Sequence, residues 1–189
     1  FNVYLPTKRY GNFGLFGFGG LSSSKYDAKK DSLEWEDEGG RYSDHFQTLT
    51  SAAGITHTYL AGQNTYIKSV FALSTKNATD ETYRLDNEMK DEKRFDGIAK
   101  ESKATLSTTL THKINSRHSF RTGVIVNQLG YKIDYLDYDN SSRQLVQTID
   151  ASGTAMLTQA FAGYTFRINE KFTANAGFHY LHFHYNNTS

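Results

Sequence analysis

Few residues in this chain have the type and spacing to do chemistry. His179, His182 and His184 fall within one short segment, and imidazole is a common metal ligand. In an extended strand successive side chains alternate, so His182 and His184 share a face while His179 points to the other. Three ligands then fail to converge without a bend, and the segment reads as a strand end with interfacial histidines. Asp134, Asp137 and Asp139 beside Asn140 offer oxygen ligands for a hard cation, as do Asp31, Glu34, Glu36, Asp37 and Glu38 around Trp35. Neither cluster has the ordered spacing of a calcium loop, so both read as solvated loops. The glycine-rich run from Phe13 to Leu21 lacks the Gly-Lys-Ser/Thr ending of a phosphate loop: Gly20 is followed by Leu21 and three serines. No Gly-x-Ser-x-Gly elbow, His-Glu-x-x-His pair or kinase set is present. Cysteine is absent, which removes disulfides, thiolate ligands and thiol nucleophiles. The chain is therefore expected not to be an enzyme, with no catalytic, cofactor-binding or metal residue assigned.

The elements around these residues are strands. From Gly153 to Tyr185 two long alternating segments flank a short polar turn. Met156, Thr158, Ala160, Ala162, Tyr164, Phe166 and Ile168 share one face, Asn169, Glu170 and Lys171 turn the chain, and Phe172, Ala174, Ala176, Phe178 and Tyr180 resume the face. Ser102 to Ile114 alternates as cleanly, with Ala104, Leu106, Leu110 and Ile114 against Lys103, Thr105, Ser107, Thr109 and Lys113. Lysines and hydroxyls in that number cannot line a dry interior. Phe46 to Leu60 and Tyr66 to Thr75 form a further pair about Gly62, and a phase slip near Gln128 to Gly130 predicts a bulge. Phe1 to Asn12, with the lone Pro6, reads as an edge segment. Three polar excursions, Lys25 to His45, Lys76 to Glu101 and Tyr138 to Ser152, read as long loops. They alternate with short turns at Gly62 to Asn64, Asn115 to His118 and Asn169 to Lys171. Short turns at one end and long loops at the other are the pattern of an outer-membrane barrel.

Composition agrees with strands that face two environments. Only 38% of the 189 residues are hydrophobic, and the mean hydropathy is −0.61, which leaves no apolar run long enough for a membrane helix. A barrel needs none, because its apolar residues alternate with polar ones. A net charge of +1 gives no reason to expect nucleic acid. Sequons at Asn77, Asn140 and Asn187 would matter only in a secreted eukaryotic chain.

Three stretches carry a family resemblance: Leu5-Pro6-Thr7-Lys8-Arg9-Tyr10-Gly11-Asn12-Phe13-Gly14-Leu15-Phe16-Gly17-Phe18-Gly19-Gly20, Asn115-Ser116-Arg117-His118-Ser119-Phe120-Arg121-Thr122-Gly123 leading to Asn127, and Arg167-Ile168-Asn169-Glu170-Lys171-Phe172. In style, over nearly its whole length, the chain resembles an internal part of the barrel of a TonB-dependent outer-membrane receptor of the Bacteroidetes type. The resemblance implies a location in the bacterial outer membrane and uptake of large nutrients such as an iron chelate, cobalamin or a glycan. It also implies the lipid bilayer, the remaining barrel and plug, the TonB complex and a surface lipoprotein as partners. Family members have a plug domain and a TonB box before a barrel of about twenty-two strands. Neither is seen in this sequence, and Tyr185 is followed by Asn186-Asn187-Thr188-Ser189 where a final strand would end on an aromatic. The expected fold is all-β: an antiparallel up-and-down transmembrane β-barrel, as a partial barrel of about seven strands over residues 1–189, without a plug. The alternative is a small self-contained barrel with adhesive or structural loops.

Overall fold

The computed structural model describes residues 1–7 and 9–186. Lys8 of the first resemblance stretch and the sequon beginning at Asn187 lie outside the described residues. Eight strands follow one another: β1 (Asn2–Thr7), β2 (Gly11–Tyr26), β3 (Tyr42–Ala61), β4 (Thr65–Leu85), β5 (Asp91–Lys113), β6 (His118–Asp139), β7 (Gln144–Arg167) and β8 (Thr173–Asn186). They form one antiparallel sheet in chain order, β1 to β8, and the two end strands do not pair with each other among the described residues. The all-β, antiparallel, up-and-down expectation therefore holds, as an open sheet. The strand count is eight rather than about seven, because Asn2–Thr7 pairs with β2 from Asn2↔Phe16 to Thr7↔Gly11. Pro6 is accommodated there because an edge strand keeps one side of its backbone out of the ladder.

Asparagine builds two of the short turns in the same way. Asn115 Oδ1 accepts hydrogen bonds from the backbone N–H groups of Arg117 and His118, and Asn169 Oδ1 accepts from Lys171 and Phe172. A side chain that mimics a backbone turn fixes each hairpin locally. Gly62, at φ +78°, closes the turn between β3 and β4.

At the opposite end two expected long loops are largely strand. β4 continues to Leu85 and β5 begins at Asp91, so the connection within Lys76 to Glu101 is only residues 86–90. β7 begins at Gln144, leaving residues 140–143 as the turn within Tyr138 to Ser152. Charged and hydroxyl residues fall on both faces of the β4–β5 ladder here, and on β6 and β7 only short apolar series such as Ile133 and Tyr135 or Ile149 and Ala151 interrupt them, so little apolar periodicity marks these segments in the sequence. Cross-strand polar pairs hold them instead, such as Lys93 Nζ to Glu81 at 2.7 Å and Thr82 Oγ1 donating to Asp44 at 2.9 Å. Residues 27–41 remain a long connection, with 3-10 turns at Ser32–Glu34 and Glu38–Arg41.

The bulge expected near Gln128 to Gly130 is not there. Register runs unbroken through Leu129↔Lys103 and Leu129↔Ala155. The register shifts lie farther out, one skipping Arg94 on β5 and one skipping Thr148 on β7. The apolar series of β6 changes face because Leu129, Tyr131, Ile133 and Tyr135 simply occupy the other side of the sheet.

Side chains in register share a face, and the pairings sort them into two surfaces. One row crosses all eight strands: Val3, Leu15, Ile55, Phe71, Leu106, Val126, Thr158 and His182. The rows beside it add Val124, Ala160 and Tyr180, then Ile67, Leu110, Ala162 and Phe178. The opposite face carries Lys68, Lys103, Thr105, Ser107, Thr109, Asn127 and Arg167. The expected division of faces is borne out at these positions, while Phe172 falls in the turn before β8.

Candidate functional site

The apolar face is the more exposed one. Leu106 is 56% accessible and Phe178 68%, and Leu15, Ile55, Phe71, Val124 and Met156 are also exposed. On the other face the polar Asn127 is 4% accessible, and its Oδ1 accepts a hydrogen bond from Thr105 Oγ1 at 2.9 Å. A concavity of about 500 Å3 on that face is lined from Thr50 on β3 to Phe183 and Tyr185 on β8. Hollows also indent the apolar face, one of about 740 Å3 beside Phe1, Ala53 and Leu73, but the burial of Asn127 and Ala155 against the exposure of Leu106 and Phe178 puts the polar side on the inside of the curve. The apolar band is thus convex and the polar face concave, the inverse of a sheet folded over a dry core. Contiguous exposed apolar surface of this extent marks an interaction surface.

Near the short turns the convex band ends in rings. Phe13 stacks on His57 at 4.5 Å and His118 on Phe166 at 4.6 Å. Each imidazole here has a polar partner: His57 the carbonyl of Tyr10, His112 the hydroxyl of Thr65, and His118 the hydroxyl of Tyr164. A ring with one apolar side and one satisfied polar edge suits a boundary between apolar and aqueous surroundings.

The concave face is not uniform. From β3 to β5 it presents Thr50, Thr56, Lys68, Lys103 and Thr109, whereas β6 to β8 bring Leu129, Tyr131, Leu157, Phe161, Leu181 and Phe183. Several rings lie flat on the glycine opposite: Phe16 on Gly54, Phe161 on Gly123 and Tyr131 on Gly153. Covering a glycine with a cross-strand ring restores packing that the missing side chain forfeits. It also keeps the rings close to the wall, so the hollow stays open. The Tyr131 and Tyr185 hydroxyls meet at 2.9 Å on its edge.

At one end of the sheet a polar cleft of about 490 Å3 brings Arg41, Arg84, Arg94 and Arg143 together with Asp86, Glu88 and Glu92, beside Tyr138 and Asn140. Arg41 packs over Trp35 at 5.2 Å and donates to the Leu85 carbonyl at 2.9 Å, above the fully buried Leu85 side chain. Arg94 lies 3.9 Å over the Tyr138 ring. Glu38 sits 3.7 Å from Arg41 and 3.5 Å from Arg84, and the Nε atoms of Arg41, Arg84 and Arg94 are buried without a hydrogen-bond partner. Planar guanidinium groups held by rings are donors for oxygen-rich ligands. The neighbouring acids are already engaged, Glu92 with Arg94 itself and Glu88 with Lys90. Hydrogen bonds from the Lys90 and Glu88 backbone hold the Asp86 carboxyl below its ordinary pKa, and hydrogen bonds from Ser142 and Ser141 do the same for Asp139.

The residues singled out in the sequence end up apart. His182 and His184 are on the convex face and His179 on the concave one, and Tyr180 stacks on His182. No three His, Asp or Glu side chains gather as a metal-binding group among the described residues. Asp134 accepts from Gln147, Asp137 from Thr148, and Asp139 caps its own turn. The glycine run is strand β2, where the Phe1 ring lies against Gly17. The arginine cleft was missed because its members are scattered through three polar stretches. Three of the four arginines share one signal, an adjacent aromatic, in Arg41-Tyr42, Tyr83-Arg84 and Arg94-Phe95, whereas Arg143 lies between Ser142 and Gln144. Comparison with known proteins finds no matching family model, curated protein or solved structure.

Proposed function

We propose that this chain is part of the wall and outer loops of a TonB-dependent type of outer-membrane transporter, which takes up a large nutrient such as an iron chelate, cobalamin or a glycan. The observation that carries this reading is the inverted sheet: a convex apolar band bounded by rings, around a concave face that is polar from β3 to β5. A bilayer asks for that arrangement, with lipid-facing and lumen-facing residues alternating along each strand. The band takes up roughly ten residues of strands that are 20 to 24 residues long from β3 to β7. The remaining ladders project past the band on the long-connection side and carry the guanidinium cleft, where an incoming oxygen-rich solute would first meet the protein. The rest of the barrel, a plug, the TonB complex and a surface lipoprotein are the partners this reading calls for.

A small self-contained barrel is the second reading, favoured by the count of eight strands, enough to close the smallest membrane barrels. Against it, β1 and β8 are unpaired edges among the described residues and differ in length, six residues against fourteen.

Single cysteines test the membrane placement. With the protein in lipid vesicles, a water-soluble maleimide should modify Lys103→Cys, Thr105→Cys and Thr109→Cys but leave Leu106→Cys, Leu110→Cys and Ala160→Cys untouched. Labelling of the second set and protection of the first would overturn the reading.

A further inference from the structure

Lys100 and Lys132 are direct cross-strand partners on the convex face, flanked in the same row by Asn77 and Ser152. Like charges placed opposite each other in a ladder repel. Neither lysine forms an ion pair among the described residues. Of the acids nearby, Glu101 faces Lys76 on the concave side, while Asp134, which accepts from Gln147, stands opposite Asp150 one row farther out on the convex face. Between the two lysines opens a concavity of about 400 Å3, to which Asn77, Ser102, Ser152 and Thr154 also contribute. The row on its inner side is Thr75, Ser102, Gly130 and Thr154, and inside that begins the apolar band at Leu73, Ala104 and Met156. Moving outward, the convex face therefore changes from apolar groups to hydroxyls to ammonium groups.

This is the chemical order of a lipid read from acyl chain to headgroup phosphate. On the outer-membrane reading above, we propose that Lys100 and Lys132 bind the phosphate-bearing headgroup of a membrane lipid whose acyl chains lie along the Leu106 and Val126 row. Two ammonium groups converge on one anion, which removes their mutual repulsion. The hydroxyl and amide groups around them supply further donors, and the lysine stems lie along the sheet while their heads reach the headgroup level.

The test uses the native protein purified in detergent and titrated with phosphatidic acid or phosphatidylcholine, with retained lipid read by native mass spectrometry. Phosphatidic acid should be retained in preference. Each lysine at an anionic surface is worth about fivefold in affinity, so Lys100→Gln with Lys132→Gln should weaken phosphatidic acid by about 25-fold. Phosphatidylcholine should be unaffected, and Lys76→Gln on the concave face should bind as the parent does. Unchanged retention in the double variant overturns the site. Displacement of the lipid by inorganic phosphate at equal concentration overturns the lipid assignment in favour of a free anion. Quenching of a fluorophore at Leu106 by brominated acyl chains, measured on the same samples, separates the two levels. No quenching sinks the membrane reading itself, whereas quenching without a lysine effect sinks only this site.

Discussion

A methyl group added at Gly123 would lie 2.7 Å from the Phe161 ring and 2.8 Å from the Thr108 carbonyl oxygen. The ring can swing aside, but the carbonyl belongs to the adjoining ladder and cannot. Gly123→Ala should therefore cost about 1 to 3 kcal/mol, whereas at Gly163, where the nearest atoms are 3.9 Å away, the same change should stay within about 0.5 kcal/mol. Urea titration of the two variants compares them, and equal effects would remove the role given to the ring and glycine pairs. The carboxyl of Asp139 gives a second residue-scale outcome. Its pKa in the folded chain is depressed below the ordinary 3.8 by hydrogen bonds from Ser142 and Ser141. A depressed carboxyl stabilises fully above its unfolded value and loses that contribution as pH falls through the folded one. Amide protection in the 140–143 turn should accordingly hold at neutral pH and fall as the solution is acidified below 3.8. In Asp139→Asn the acid dependence of this turn should be flattened, and protection that instead falls on raising the pH would contradict the assignment.

Strands β5 and β7 show what depth along an element should do. Ala160 and Leu110 lie in the middle of the convex band, while Ile114 and Ile168 sit at the short turns, their N–H groups bonded to His118 and Phe172 carbonyls. Arginine at either central site should cost about 2 to 4 kcal/mol in lipid, and at the turn sites roughly 0 to 1. Thr109→Arg, on the concave face of the same strand as Leu110, should cost far less than the central pair. A penalty that does not change with depth, measured by unfolding from vesicles, is the result a membrane wall cannot give. The inner halves of these strands are legible in the sequence because apolar and hydroxyl residues alternate there over a dozen positions. The Asn115 and Asn169 turns are legible because asparagine supplies its own acceptor. The outer ladders are not, since Lys93, Glu81, Thr82 and Asp44 pair polar with polar and leave no period to read. Nor is the arginine cleft, which exists only once the register brings residues 41, 84, 94 and 143 to one end.

For the whole molecule, closure is a matter of the distance between β1 and β8. Cysteines paired across these edges, Leu5 with Phe178 and Val3 with Tyr180 among a small panel, should stay unlinked under mild oxidation if further strands lie between them. Ready cross-linking would favour the closed eight-strand barrel. The nearest-neighbour order of the strands has another outcome, which concerns parity. Every residue's face is set by an alternation carried from β1 to β8, so a single residue gained or lost inside a paired strand turns one stretch of the band inside out. The extra residues at Arg94 and Thr148 stand at the outer ends of β5 and β7, with Thr148 bonded to the Tyr135 carbonyl and to Asp137. They are places where an odd number can be absorbed before the alternation reaches the band. Length change in the projecting ladders is thus expected to come in twos elsewhere and in ones only there, which lets the outer end vary while the parity of the wall is kept.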